Sequence, residues 1–123
     1  MAEGNIRHIA VAEIPITFDA GAADQGLAGG GSKMCSFRVF GNVACLTLSV
    51  IFTKEATTAS WYRIATIPSQ YAPQVNLYQP WFRFDNTFYG ELHVDQGGGI
   101  NINNKEAFTD VILRCNISWI FIR

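Results

Sequence analysis

Apolar and polar residues alternate along most of this chain with a period of two, and no other feature of the sequence constrains the fold as strongly. Ile14, Ile16 and Phe18 occupy alternate positions, and every even position of 44–52 is apolar. Successive side chains of a β-strand point to opposite faces of its sheet, so each of these segments predicts a strand with one buried face. The nearest approach to a helical pattern is a single turn near 104–107.

Turn residues separate the predicted strands. Gly41-Asn42 predicts a two-residue hairpin, and the three glycines at 97–99 predict a second hairpin. The stretch Pro68–Pro80 contains three prolines, which cannot donate to a strand ladder, so it predicts an irregular crossing loop. This many short strands in one domain predict an all-β fold, either a β-sandwich or a jelly roll. The expected strands are 14–19, 36–40, 43–53, 61–67, 81–86, 88–96, 100–103, 109–115 and 117–123.

The length of 123 residues predicts a single domain over 1–123. Residues 19–32 are rich in glycine and alanine and predict a flexible loop that is too short to divide two domains. The sequence GLAGGGSK at 26–33 resembles a phosphate-binding loop, in which Gly-Lys is followed by Ser or Thr. Here the serine precedes the lysine, and a predicted strand follows where the motif needs a helix, so we expect no phosphate site.

The charge of the chain limits its partners. Its nine basic residues are scattered and the net charge is −1, which argues against binding of nucleic acid. Charged residues make up only 15%, compared with roughly 25% in an ordinary soluble domain. The segment 117–123, ISWIFIR, is apolar on both faces. We therefore expect apolar surface to be buried between copies of the chain.

Metal-binding residues are sparse. His8 and His93 lie in separate segments, and Cys35, Cys45 and Cys115 form no CxxC pair. Metal sites need such ligands at short spacing, so we expect no metal and no cofactor. The three cysteines are expected to be reduced thiols, as in a protein that folds in a cytoplasm.

Catalytic and membrane signals are also weak. No serine lies in a GxSxG elbow, and we expect no catalytic residue and no enzymatic activity. One alternative stays open, because Asp85 could pair in space with Glu91 or Asp95 as the two carboxylates of a glycosidase. The start of the chain lacks a secretory signal pattern, and its most apolar stretch, 43–52, is about half the length of a membrane helix. We expect no membrane insertion.

The segment WFRFDNTFYGELH, which begins at Trp81, interleaves aromatic and polar residues. Saccharide sites place aromatic faces against sugar rings and planar polar groups against the hydroxyls. The candidates for stacking are Trp81 and Tyr89, and the candidates for polar contacts are Arg83, Asp85 and Asn86. The alternative interpretation is that the phenylalanines of this segment pack in the core or between subunits, with the Arg83 and Asp85 side chains paired in solvent.

The run WYRIATIPSQYAP at 61–73 resembles a segment that recurs in the C-terminal domains of phage tail-fibre and baseplate proteins. Such domains also contain a strand and turn similar to FRVFGNVACL at 37–46, and a later pattern similar to LHV at 92–94 followed by GINI at 99–102. They close on a strand similar to 117–123. The resemblance covers residues 36 to 123.

This resemblance implies an all-β head domain, usually a homotrimer, that contacts host-surface saccharide or caps a fibre. It implies no particular binding residues. The expected protein is a phage or prophage tail component, assembled in the bacterial cytoplasm and located in the virion tail, with other tail or baseplate proteins and host cell-wall saccharide as partners. Two alternatives stay open: a purely structural trimerisation domain, and a tail-associated glycan hydrolase with two facing carboxylates.

Overall fold

The computed structural model describes residues 11–19, 21–52, 61–83, 88–104 and 112–122. The described part contains ten strands, one short helix and one 3-10 turn. In chain order these are β1 (Val11–Glu13), β2 (Thr17–Phe18), β3 (Ala22–Asp24), α1 (Gln25–Ala28), β4 (Ser36–Phe40), β5 (Val43–Phe52), β6 (Tyr62–Thr66), the 3-10 turn Ser69–Tyr71, β7 (Leu77–Arg83), β8 (Phe88–Val94), β9 (Gly99–Asn104) and β10 (Ile112–Ile120).

All of these strands belong to one antiparallel sheet, which curls on itself. Its order is β1-β4-β5-β10-β7-β8-β9-β6-β2, with β3 beside β5. β1 and β2 stand at the two ends of this order, yet both belong to the continuous segment 11–18, here called the closing segment. β1 pairs with β4, and β2 pairs with β6. The two edges of the sheet therefore meet at the closing segment, and the prediction of an all-β fold is confirmed.

β10 lies in the middle of the sheet. It pairs with β5 along its whole length and with β7 at Leu113 and Arg114. Sequence reasoning divided this region into strands 109–115 and 117–123, but the structure forms one strand over Ile112–Ile120. The division was wrong because no turn residue interrupts the ladder: Asn116 continues it opposite Thr47.

The core is built from the alternation that the sequence shows. The side chains at the even positions of 44–52 are buried along β5. The hairpin from β4 to β5 turns at Gly41, whose φ of 61° is readily adopted by glycine. The interior of the roll is filled by the side chains that alternate inward from the other strands. The largest fully buried members are Trp81, Phe37, Phe52, Phe121, Leu46, Leu48, Ile64, Leu92, Ile100, Ile102, Leu113 and Val50.

The run 61–73 that resembles phage tail proteins ends in an aromatic anchor. Tyr71, in the 3-10 turn, meets Phe37 edge-on at 6.1 Å and Phe121 edge-on at 5.5 Å between ring centroids. Its carbonyl oxygen accepts a hydrogen bond of 2.7 Å from the indole N–H of Trp119, which stacks on Phe37. These contacts hold the loop after β6 against one end of the core.

A flexible loop was predicted over residues 19–32, and over 21–32 the structure differs. They contain β3 and α1, and they are fastened by the buried carboxylate of Asp24. This carboxylate accepts hydrogen bonds from the backbone N–H groups of Gly26 and Leu27 at one end of the loop and of Met34 and Cys35 at the other. Backbone donors that would otherwise lack partners are satisfied by one side chain, which composition alone does not reveal.

The crossing loop predicted over 68–80 is shorter than expected, because β7 begins at Leu77 and includes Pro80. A proline fits here because β7 pairs with β10 only at Phe82 and Arg83, so the strand around Pro80 needs no backbone donor on that side. The predicted helical turn at 104–107 lies largely outside the described residues.

The described part of the chain was also searched for membrane helices, metal sites and disulfides. Within it, no helix is long and apolar enough to cross a membrane. No group of three His, Cys, Asp or Glu side chains in the described ranges is arranged to hold a metal ion. Cys35, Cys45 and Cys115 are free thiols in this structure.

Candidate functional site

Four neighbouring strands place one side chain each in a row on the outer face of the sheet. Tyr78 on β7 lies opposite His93 on β8, His93 lies opposite Asn101 on β9, and Asn101 lies opposite Arg63 on β6. Side chains directly opposite each other in antiparallel strands are about 5 Å apart at Cβ, so the four form a continuous row. Trp61 and Asp95 flank the row, and these six residues are here called the outer-face cluster.

The aromatic part of the cluster is packed around His93. The imidazole lies nearly parallel to the Tyr78 ring, with an interplanar angle of 9° and a centroid distance of 4.8 Å. The indole of Trp61 meets the imidazole at 5.1 Å and the Tyr78 ring at 5.8 Å, tilted by 57° in both cases. Trp61 is 40% exposed and Tyr78 is 56% exposed. Two large aromatic rings therefore remain open to solvent although they are held by each other and by His93.

The polar part of the cluster is a hydrogen-bond network centred on the buried Asn101. Arg63 Nε donates to Asn101 Oδ1 at 3.2 Å. The amide nitrogen of Asn101 lies 3.3 Å from Asp95 Oδ2 and 3.4 Å from His93 Nδ1. Because the guanidinium of Arg63 can only donate, the oxygen of the Asn101 amide must face it, and the amide nitrogen then donates to Asp95 and His93.

Asp95 connects this network to the turn between β8 and β9. Its Oδ1 accepts hydrogen bonds from the N–H groups of Gly97 and Gly99, at 2.9 and 2.8 Å, and its Oδ2 pairs with Arg63 at 3.4 Å. Burial alone would raise the pKa of Asp95, but the hydrogen bonds from Gly99, Gly97 and Asn101 and the charge of Arg63 outweigh it, so the pKa lies below its ordinary value. The carboxylate therefore stays ionised and keeps the turn and Arg63 in place.

The hydrogen bond from Asn101 also determines the tautomer of His93. Its Nδ1 accepts from the Asn101 amide, so in the neutral ring the proton is on Nε2. Nε2 is buried, and no described residue hydrogen-bonds to it. The cluster thus combines exposed aromatic rings, an ion pair and fixed amide and imidazole donors, which is the chemistry of a site for a neutral polar ligand with an apolar side.

The residues that the sequence nominated as a saccharide site do not form a described cluster. The indole of Trp81 is fully buried in the core, which counts against it as a stacking surface, and Arg83 is half-buried. Asp85 and Asn86 lie outside the described residues, as does the side chain of Tyr89. Binding by this set stays a prediction. Phe82 is 40% exposed in the single chain, so the alternative in which these phenylalanines pack between subunits also stays open.

The hydrolase alternative required Asp85 to face Glu91 or Asp95 across a groove. Asp85 lies outside the described part of the chain, so neither pair can be placed and this alternative stays a prediction.

A cavity lies elsewhere among the described residues, between the closing segment and the loop fastened by Asp24. It has a volume of about 690 Å³ and a mostly apolar lining that includes Ile16, Phe18 and Leu27. Its main charged groups are already engaged, since Asp24 accepts backbone hydrogen bonds and Lys33 pairs with Glu13. The outer-face cluster, which sets exposed aromatic rings beside a polar network, is the better candidate.

Sequence reasoning missed this cluster. Trp61 and Arg63 are about thirty residues away from His93 along the chain, and Tyr78 falls in the stretch expected to be an irregular loop. The cluster exists only because β6 pairs with β9 and β7 pairs with β8. The single available signal was the alternation that puts His93 and Asp95 together on the polar face.

No family model and no curated protein matches this chain. Among solved structures, it is similar to the head domain of lactococcal phage bIL170, reported as a receptor-binding domain, with a TM-score of 0.66. The similarity covers 94% of this chain and 100% of that chain. The two chains share one fold. The resemblance to phage tail head domains is thereby confirmed in architecture, while the sequence identity with the bIL170 head is only 10%, so no binding residue is carried over.

Proposed function

We propose that this chain is the host-recognition head domain of a phage tail fibre or baseplate protein, carried in the virion tail, and that it binds saccharide on the host cell surface. The observation that carries the proposal is the outer-face cluster, in which exposed Trp61 and Tyr78 adjoin Arg63, Asp95 and Asn101. The fold shared with the bIL170 receptor-binding head supports the same role.

The arrangement suits a sugar ring better than a charged or fully apolar ligand. The aromatic faces of Trp61 and Tyr78 match the apolar face of a pyranose, and Tyr78 is held in place because His93 stacks on it. Arg63 and Asp95 are paired, so together they offer donors and acceptors without net charge. The hydroxyl groups of a sugar both donate and accept hydrogen bonds, so a site that offers donors and acceptors together suits them.

We further propose that the head assembles as a homotrimer through an apolar row at the other end of the sheet. Val11, Phe40, Val43 and Ile120 lie opposite one another across β1, β4, β5 and β10. Val11 is 61% exposed and Ile120 is 67% exposed. A row of this kind on a chain with few charges is best explained by a partner surface, and a biological interface of more than about 1,000 Å² is expected. This apolar end row also supports the alternative of an assembly domain.

The proposed binding is tested by applying the purified protein to an array of bacterial cell-surface polysaccharides, lactococcal ones included. We expect weak binding per site, near millimolar or about 4 kcal/mol, strengthened by three copies on one axis. Trp61→Ala and Tyr78→Ala should each lower the affinity by about tenfold through lost stacking. Val75→Ala, an exposed apolar residue in the loop before β7, is the matched control and should bind as the unmodified protein does.

Two outcomes would count against the proposal. A folded protein that binds no polysaccharide on the array would favour the purely structural alternative. Binding that survives both aromatic truncations would place the site outside the outer-face cluster, and Arg83→Ala and Asp85→Ala would then test the set nominated from the sequence.

A further inference from the structure

His93 carries a buried hydrogen-bond donor that the fold leaves unused. Asn101 occupies Nδ1, which leaves the proton on Nε2, and Nε2 has no hydrogen-bond partner among the residues that the structure describes. Buried polar groups in native proteins are nearly always paired, so an orphaned donor at a surface cluster calls for an explanation. A donor kept for a ligand is one such explanation.

Three side chains contact the imidazole of His93. Tyr78 lies parallel to the ring and so covers one of its faces, and Asn101 holds the Nδ1 edge. The third is the indole of Trp61, which approaches the ring at 5.1 Å with a tilt of 57°. Trp61 precedes β6 and is 40% exposed, so it is less constrained than side chains within the sheet.

We propose that the Trp61 indole is a movable cover over His93 Nε2, and that this N–H donates to a ligand hydroxyl once the indole has moved. The inference rests on the proposed saccharide function and adds to it an opening step and a specific donor. A ligand gains the hydrogen bond that no described residue makes, and the displaced indole remains beside the site as a stacking surface. Tyr78 and Asn101 keep the imidazole in position throughout.

The cover can be tested without any ligand, by the rate at which the Nε2–H proton of His93 exchanges with solvent. Exchange requires water to reach this N–H, and NMR of the His93 side chain measures the rate. If the cover is open for about 10% of the time or less, Trp61→Ala should raise the rate by roughly tenfold or more. Trp61→Phe keeps a smaller ring and should give an intermediate rate, whereas Val75→Ala should stay within about twofold of the unmodified protein.

An unchanged rate in Trp61→Ala would overturn the cover, whatever the protein binds. A raised rate combined with no binding on the polysaccharide array would support the cover and contradict the proposed function, so the two failures are distinguishable. For a polysaccharide that does bind, His93→Phe retains a ring against Tyr78 but lacks the donor, and it should weaken binding by about tenfold. Equal binding by His93→Phe, with its fold verified by circular dichroism, would show that Nε2 is not the donor.

Discussion

The thiol of Cys35 takes the place of a strand partner for Ser49. Its Sγ accepts a hydrogen bond of 3.3 Å from the Ser49 N–H and donates one of 3.2 Å to the Ser49 carbonyl oxygen. Along the same side of β5, β4 pairs up to Thr47 and β3 begins to pair at Val50, so Ser49 lies where the ladder changes strands. The Cys35 side chain thereby satisfies both the N–H and the C=O of Ser49, where neither β4 nor β3 pairs with β5. Burial raises the pKa of the Cys35 thiol to about 12, which keeps it protonated and able to donate.

Cys35→Ala should therefore destabilise the fold by about 2–4 kcal/mol, because two buried backbone groups lose their partner. Cys45→Ala is the matched control, since Cys45 is only half-buried and accepts one weak bond from Ser118, and it should cost less than about 1 kcal/mol. Urea denaturation measures the stability of both variants.

We also expect reductant to leave the melting temperature unchanged, because all three thiols are free. A drop of several degrees would reveal a disulfide.

Asp24 should make stability depend on pH. Burial raises the pKa of Asp24, but the hydrogen bonds from Cys35, Met34 and Leu27 outweigh it, and the pKa of the folded state lies below its ordinary value of 3.8. A lowered pKa stabilises the folded state at pH values above 3.8, and this contribution is lost as pH falls through the folded pKa.

Asp24→Asn should consequently lower the free energy of unfolding at pH 7 by about 2–4 kcal/mol, because an amide has only one accepting oxygen. The variant should also lose less stability than the unmodified protein between neutral and strongly acidic pH. Denaturation curves over that range, with Asp19→Asn as an exposed control, test this. Parallel pH profiles for all three proteins would contradict it.

Trp81 and Trp61 should differ sharply in what their truncation does. Trp81 is fully buried, so Trp81→Ala should cost about 3–5 kcal/mol of stability. Trp61 is 40% exposed, and Trp61→Ala should cost within about 1 kcal/mol while weakening saccharide binding. Thermal melts and the polysaccharide array separate the two effects. Similar stability losses in the two variants would mean that Trp61 is a core residue and not a surface platform.

Replacing Ile120 tests the trimer. Ile120→Asp puts a charge into the apolar end row and should convert a trimer to monomers without unfolding, because the residue is 67% exposed in the single chain. Val75→Asp, which is 64% exposed in a loop, should leave the trimer intact. Light scattering at micromolar concentration gives the mass. A monomer mass for the unmodified protein would refute the proposed assembly.

The fold was more predictable than the site, for a physical reason. A period of two along β5 and β8 determines which face of each strand is buried, so the all-β class and most strands were predicted from local pattern alone. The order of strands depends on long-range pairing that no local pattern encodes, and the outer-face cluster depends on that order. Trp81 was misjudged because both faces of the predicted strand 81–86 carry aromatic residues, so alternation there does not distinguish the inward face from the outward one.

The central position of β10 has a consequence for how the protein is made. β5 and the strands beside it form one half of the sheet, and β7, β8, β9, β6 and β2 form the other. Until residues 112–120 emerge from the ribosome, only the closing segment can bridge these halves. Both halves would then wait with an unpaired inner edge, a template for association with neighbouring nascent chains. Productive folding of this domain should therefore wait for β10, and it should be sensitive to how crowded the site of synthesis is.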